Sequence, residues 1–357
     1  MSTPAIIATG AYSRSGSGSG RGTGVELMRL VTGPGESAPA VEHLTSVELE
    51  NPTFLLWNRD GSLLYAVLET SPSRLVALRV GQEGTSAEVV ADLALQGEGA
   101  CHLAFGHRAS TLVVADYGSG TVETVKLDTD GIPQELVDFD SHGDRADGLD
   151  PHPHQVVPMP GTELLAVPDL GLDRVFLYAQ DSTGQIDLAG EIPLRRGSGP
   201  RHLAADHESE QLHISCERSG MIATAVRQQN DADPALPRIA RGAEYRWAVR
   251  SMEPASRHEG TNELSHLELT ADEGHLLVAN RGPDTLSLLS LVSMRPSIVD
   301  EIEVGAHPRH FAQRGDLVLV AAQEADRIDL LRVDGERLSV AAAPIEAPSV
   351  ACIAVRP

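Results

Sequence analysis

The stretches "GPRHLA" (Gly199–Ala204) and "HPRHFA" (His307–Ala312) repeat one pattern, Pro-Arg-His-apolar-Ala. Their prolines, Pro200 and Pro308, lie 108 residues apart, too far for one hairpin or one helix, so one local pattern is written in two separate units. Anchoring each unit on the residue after the proline, Arg201 and Arg309, brings out the same frame elsewhere. It recurs at Thr53 in "NPTFLLWNRDGSLLYAVLE", at Cys101 in "GACHLAFGHRASTLVVADYG" and at His154 in "HPHQVVPMPGTELLAVPDLG". It recurs again at Ser265 in "ELSHLELTADEGHLLVANRG" and at Ser349 in the C-terminal "APSVACIAVRP". Each unit is an apolar run, a turn carrying Asp, Gly or Pro, a second apolar run ending in a polar residue, and a third run. Period-two alternation between polar turns predicts β-hairpins.

The first six anchors are 48, 53, 47, 64 and 44 residues apart. With about four strands per unit, that period predicts the blades of an all-β propeller. Six units are complete. The seventh is divided between the ends, one strand from residues 347–357 and three from residues 1–50, and joining them closes the ring and removes its exposed edges. The expected organisation is a single seven-bladed domain over residues 1–357. The segment 228–261, which carries Trp247, is read as an insertion, either a lid over one mouth or a surface loop. The glycine-rich run Ser13–Gly24 fits neither G-x-G-x-x-G nor a P-loop, and is expected to be a strand connector.

Fifty-one acidic against 28 basic residues give a formal charge of −23, which disfavours nucleic acid and anionic membrane surfaces as partners. Cys101, Cys216 and Cys352 are odd in number and form no C-x-x-C pair, the pattern of reduced thiols. No leader pattern and no run of about 18 apolar residues occurs. A cytoplasmic protein, a monomer or a weak homo-oligomer, is expected.

In a propeller the innermost strands flank a central channel. The anchors Thr53, Cys101, His154, Arg201, Ser265, Arg309 and Ser349 should therefore gather round one axis. The polar residues closing the second runs, Glu69, Tyr117, Asp169, Glu217, Arg281 and Gln323, form a second ring, with Asp169 the loosest fit and Leu170 nearer the strict register. Arg201, Arg281 and Arg309 offer forked donors to a carboxylate, a phosphate or an oxyanion. His154 is expected to titrate near neutral pH, with Glu217 as its partner or as a second proton carrier. Glu69, Tyr117, Asp169 and Gln323 complete the expected substrate contacts. His102, His202, His266 and His310 each follow an anchor and, by alternation, should point away from the channel as structural residues. His152 and His154 could share one strand face, but no firm third ligand accompanies them, and no metal or cofactor is expected.

The runs "PHPHQVVPMPGTELLAVPDLGLDRVFLY", "GSGPRHLAADHESEQLHISCERSG", "LLVANRGPDTLSLLSL" and "GAHPRHFA" resemble, in order and spacing, those of the lactonase propellers. That family contains the cycloisomerase-type 6-phosphogluconolactonases and the fungal carboxymuconate lactonising enzymes. The resemblance implies a site built from the histidine of H-x-x-V, His154, the arginine of G-P-R, Arg201, the glutamate closing the next strand, Glu217, and the arginine of N-R-G, Arg281. It departs at the fifth blade, where Ser265 and His266 stand in place of the family's Ala-Glu. The leading expectation is a hydrolase of a small anionic sugar lactone. The same residues also suit a carboxymuconate-type cycloisomerase, and the fold by itself suits a non-catalytic binding platform.

Overall fold

The computed structural model describes residues 4–13, 20–31, 38–107, 110–146, 148–228 and 246–357. Seven four-stranded antiparallel sheets form a ring. Among the described residues the one helical element is a single 3-10 turn, His142–Arg145, and no helix is long and apolar enough to cross a membrane. The innermost strands are Pro52–Trp57, Ala100–Phe105, Val157–Pro158, Pro200–Ala205, Glu263–Leu269, Pro308–Arg314 and Val350–Val355. They belong in turn to blades one to seven.

The ends of the chain close the ring as the repeat requires. Val350–Val355 pairs with Ala5–Ala11, with Ile7 opposite Val355 and Thr9 opposite Ile353, so three N-terminal strands and the last C-terminal strand make one sheet.

Both faces of every blade meet a neighbouring blade, and the hydrophobic core is accordingly divided among the seams. Leu27 of the seventh blade packs with Leu55, Trp57 and Leu64 of the first. Ala279 and Leu288 of the fifth pack with Phe311 and Val320 of the sixth. This burial on two faces explains near-continuous apolar second strands such as Leu63–Leu68 and Leu317–Ala322, in which every residue is buried. The outermost strands have one wet face, and no residue of Ala87–Ala94 is fully buried.

The fourth blade corrects the reading of 228–261. Arg246–Pro254 is its outermost strand, paired along Met221–Gln228. Trp247 is 5% exposed, packs in the seam between blades three and four, and donates from Nε1 to the Ser209 carbonyl at 2.8 Å. Alternation in "RWAVRSMEP" was the signal for a strand. Residues 229–245 of the expected insertion lie outside the described residues. Gln228 and Arg246, which flank them, pair at the end of the blade remote from Glu217.

Candidate functional site

One backbone device repeats at one mouth of the channel. The residue leading into the inner strand adopts a left-handed conformation in five blades: Asn51 (φ 45°), Gly99 (68°), Gly199 (63°), His307 (57°) and Ser349 (50°). Its carbonyl accepts the N–H of the residue that ends the second strand. The bonds run from Glu69 to Asn51 (2.9 Å), Tyr117 to Gly99 (3.0 Å), Glu217 to Gly199 (2.7 Å) and Gln323 to His307 (3.1 Å). In the third blade Leu170 bonds His152 (2.9 Å), and in the seventh Tyr12 bonds Ser349 (3.1 Å), while Glu263 pairs with Arg281 in the fifth. The second ring is therefore Tyr12, Glu69, Tyr117, Leu170, Glu217, Arg281 and Gln323.

That register makes two corrections. Leu170, not Asp169, holds the third-blade position. Asp169 is fully buried: Oδ1 accepts from the backbone of His152, Gly171 and Leu172, and Oδ2 lies 2.6 Å from His142 Nδ1. Its lone pairs close a turn and leave nothing for a ligand. Tyr12 is the ring member that the sequence reading missed.

The first ring owes its direction to β-bulges. Register shifts between Pro52 and Phe54, Ala100 and His102, Pro200 and His202, and Pro308 and His310 leave Thr53, Cys101, Arg201 and Arg309 without a cross-strand partner. A bulged residue is re-aimed, here toward the axis. In the last blade Val350 and Cys352 are paired and Ala351 is skipped, so Ala351 is the seventh anchor and Ser349 is the left-handed residue before the strand.

The bulge also breaks simple alternation, and His102, His202, His266 and His310 turn into the channel instead of away from it. The His102 and His202 rings, two blades apart, have centroids 5.7 Å apart. His202 Nδ1 is 2.8 Å from His266 Nδ1, His266 stacks on His310 at 4.2 Å, and Phe54 reaches both His102 and His310. Contacts that skip a blade are geometrically available only near the axis. The four imidazoles plug the channel beneath the anchor ring.

Above that plug three arginines gather. Arg201 is 2% exposed; its Nε lies 3.0 Å from Glu217 Oε2, off line for donation, and its buried Nη1 has no hydrogen-bond partner. Arg281 reaches the same Oε2 with Nη2 at 2.6 Å. It donates from Nε to the Glu263 carbonyl at 3.1 Å and from Nη2 to the Leu264 carbonyl at 3.3 Å. Burial, then the neighbouring Arg281 charge, pulls the pKa of Arg201 down to about 9, against the pull of Glu217. Arg309 lies over the Tyr12 ring at 5.2 Å, and the Tyr12 hydroxyl donates to Glu69 Oε2 at 2.8 Å. Burial works to lower the pKa of Arg309, but Tyr12 and Glu69 raise it on balance.

His154 is 6% exposed, its Nδ1 3.8 Å from Cys101 Sγ and its ring edge-on to Tyr117 at 5.6 Å. Burial first, then Arg201 and Arg309, holds its pKa well below the ordinary histidine value, so the ring is neutral. Burial raises the Cys101 thiol and keeps it protonated. His152 stacks on Tyr117 at 4.2 Å with Nδ1 2.9 Å from the Tyr117 carbonyl. Glu217 lies against the arginines, and Gln323 carries a buried Oε1 without a partner. The structure thus brings Arg201, Glu217 and Arg281 into contact, with His154, Tyr117, Arg309 and Glu69 around them. Among the described residues no group of three or more His, Cys, Asp or Glu side chains is arranged to hold a metal ion.

Comparison with known proteins agrees with this architecture. A 6-phosphogluconolactonase of Bacillus subtilis is 22% identical over 356 residues, 96% of each chain. The solved periplasmic gluconolactonase PpgL of Pseudomonas aeruginosa superposes with a TM-score of 0.85 at 22% identity, over 99% of both chains. A Lactobacillus plantarum protein does so with a TM-score of 0.83, also at 22% identity and 99% coverage of both. The family model described as lactonase, 7-bladed beta-propeller, matches residues 7–355. With one fold, one ring closure and nearly the whole chain matched, the protein belongs to the lactonase family of seven-bladed β-propellers.

Proposed function

We propose that this protein hydrolyses a small anionic sugar lactone at the mouth ringed by Arg201, Arg281 and Arg309. The observation that carries this reading is the Nη1 of Arg201, a buried charged donor without a partner, set beside a second guanidinium. A buried donor left unpaired is destabilising, and an oxygen of the substrate would satisfy it. The names of the Bacillus subtilis and Pseudomonas aeruginosa relatives support lactone chemistry.

In this reading the arginines hold the substrate's anionic group and the carbonyl oxygen. Neutral His154 takes a proton from water as the water oxygen bonds to the carbonyl carbon, and the carbonyl electron pair moves to oxygen as an oxyanion facing the guanidiniums. Collapse of that intermediate breaks the ring C–O bond, and the leaving oxygen takes the proton back from His154. Burial is the first cause of the low pKa of His154, and the arginine charges that add to it are offset when the anion binds, so the base strengthens once substrate is present. Glu217, with one oxygen against both arginines, sets their spacing before substrate arrives.

The test is pH-monitored turnover of phosphorylated, carboxylated and uncharged sugar lactones in water enriched in oxygen-18. The reading expects faster turnover of the anionic lactones, with one heavy oxygen in the product carboxylate. Turnover without label would mean a cycloisomerase, and no turnover of any lactone would remove the proposal.

A further inference from the structure

The left-handed residue before the inner strand is filled cheaply by Gly99, Gly199 and Asn51, whereas the seventh blade places Ser349 there at φ 50° and the sixth places the bulkier His307 at φ 57°. A side chain with a Cβ carries a steric penalty in that conformation, which glycine does not. The imidazole of His307 is also placed with purpose. Its Nε2 is 3.4 Å from Nη1 of Arg281, its Nδ1 faces Glu324 Oε1 at 3.5 Å, and its backbone N–H donates to Asp284 Oδ1 at 2.9 Å. A guanidinium only donates, so Nε2 must accept and the ring proton sits on Nδ1, toward Glu324. The other two nitrogens of Arg281 are occupied by the Glu263 and Leu264 carbonyls and by Glu217. His307 thus holds the remaining arm of the fork.

We propose that His307 is a positioning residue that locks Arg281 into its anion-binding orientation, an inference that rests on reading the arginine mouth as an anion site. The left-handed backbone is tolerated in exchange for a neutral acceptor within reach of Arg281 Nη1. Burial, followed by the charges of Arg281, Arg309 and Arg201, brings the pKa of His307 down to about 4, consistent with an acceptor across the neutral range.

The experiment is calorimetric titration with inorganic phosphate of the full-length wild type, His307→Gly and His307→Gln, with melting temperatures measured alongside. His307→Gly relieves the backbone and removes the acceptor. It is expected to melt no lower than the wild type and to bind phosphate about tenfold more weakly, the loss of one hydrogen bond to a charged group. His307→Gln keeps a side-chain oxygen as acceptor and should recover most of that affinity. Wild-type affinity in His307→Gly, or a His307→Gln protein as weak as the glycine variant, would overturn the role of His307 while leaving the anion site in place. A wild type that does not bind phosphate would overturn the anion site and this inference with it.

Discussion

The Oε2 atom of Glu217 lies 2.6 Å from Nη2 of Arg281, and the same atom lies 3.0 Å from Nε of Arg201. One carboxylate oxygen therefore separates two nearly buried cations. Glu217→Gln would leave Arg201, Arg281 and Arg309 with Glu69 as their neighbouring counter-charge. A loss of about 2 kcal/mol is expected, since Glu217 is partly exposed and water screens some of the repulsion. Added phosphate should raise the melting temperature of the variant more than that of the wild type. Equal stability and equal response to phosphate would show that the carboxylate does not hold the arginines together.

Acid should unfold this protein through its histidines. His102, His154, His202 and His310 have pKa values well below the ordinary one, and His213 and His307 are lowered to about 4, in each case chiefly by burial. A histidine lowered on folding contributes stability that is full above its unfolded value near 6.5 and is lost as pH falls toward 4. His102, His154, His202 and His310 each steepen that fall by about 1.4 kcal/mol per pH unit. Asp116 acts oppositely. Burial, then Glu123, raises it to about 7, so its contribution is present at low pH and is lost as pH rises through 7. Burial also raises Glu123 and Asp206, but three carboxyls do not offset six imidazoles, and calorimetry should show the melting temperature dropping steeply from pH 6.5 to 4. A flat profile would contradict the buried, neutral assignment.

The 2.8 Å contact between His202 Nδ1 and His266 Nδ1 sits where solvent cannot replace it. His202→Phe leaves a buried imidazole nitrogen unpaired, at a cost of about 1–3 kcal/mol. Replacing both rings by Phe should cost less than the sum of the single changes, because no polar atom is then stranded. Urea unfolding of the two single variants and the double variant measures this, and strict additivity would mean that the two rings do not interact.

Trp247→Ala should destabilise the fold by about 3–5 kcal/mol through the cavity left between blades three and four. Lactone turnover by the folded fraction should be unchanged, because Trp247 pairs with Arg227 at the end of its blade away from Glu217. A fall in kcat/KM without a loss of stability would restore the lid interpretation.

The ring, its closure and most of the mouth were legible because each blade repeats one pattern of apolar runs around a local bulge. Arg201 and Arg309 follow a proline at the start of the strand, so their register reads directly from the chain. Asp169 was misread because a polar residue ending an apolar run resembles a pore residue, whereas the bond from the Leu170 N–H to His152 gives the position to leucine. Tyr12 went unseen because its blade is divided between the chain ends, although "GAY" closes its strand as "ADY" closes that of Tyr117. The histidine plug was misdirected by assuming strict two-residue alternation, which a bulge interrupts. The His142–Asp169 contact, between residues 27 apart in different blades, has no local signature.

In the proposed function Arg201 offers its free Nη1 to a negatively charged substrate. The most direct measurement is kcat/KM of the wild type and of Arg201→Ala on one anionic sugar lactone and on its uncharged counterpart. A loss on the order of 100-fold for the anionic lactone is expected, with a smaller loss for the uncharged one, which lacks the anionic contact and keeps only the oxyanion contact. Equal losses on both lactones, or none, would mean that Arg201 does not hold the substrate's anionic group.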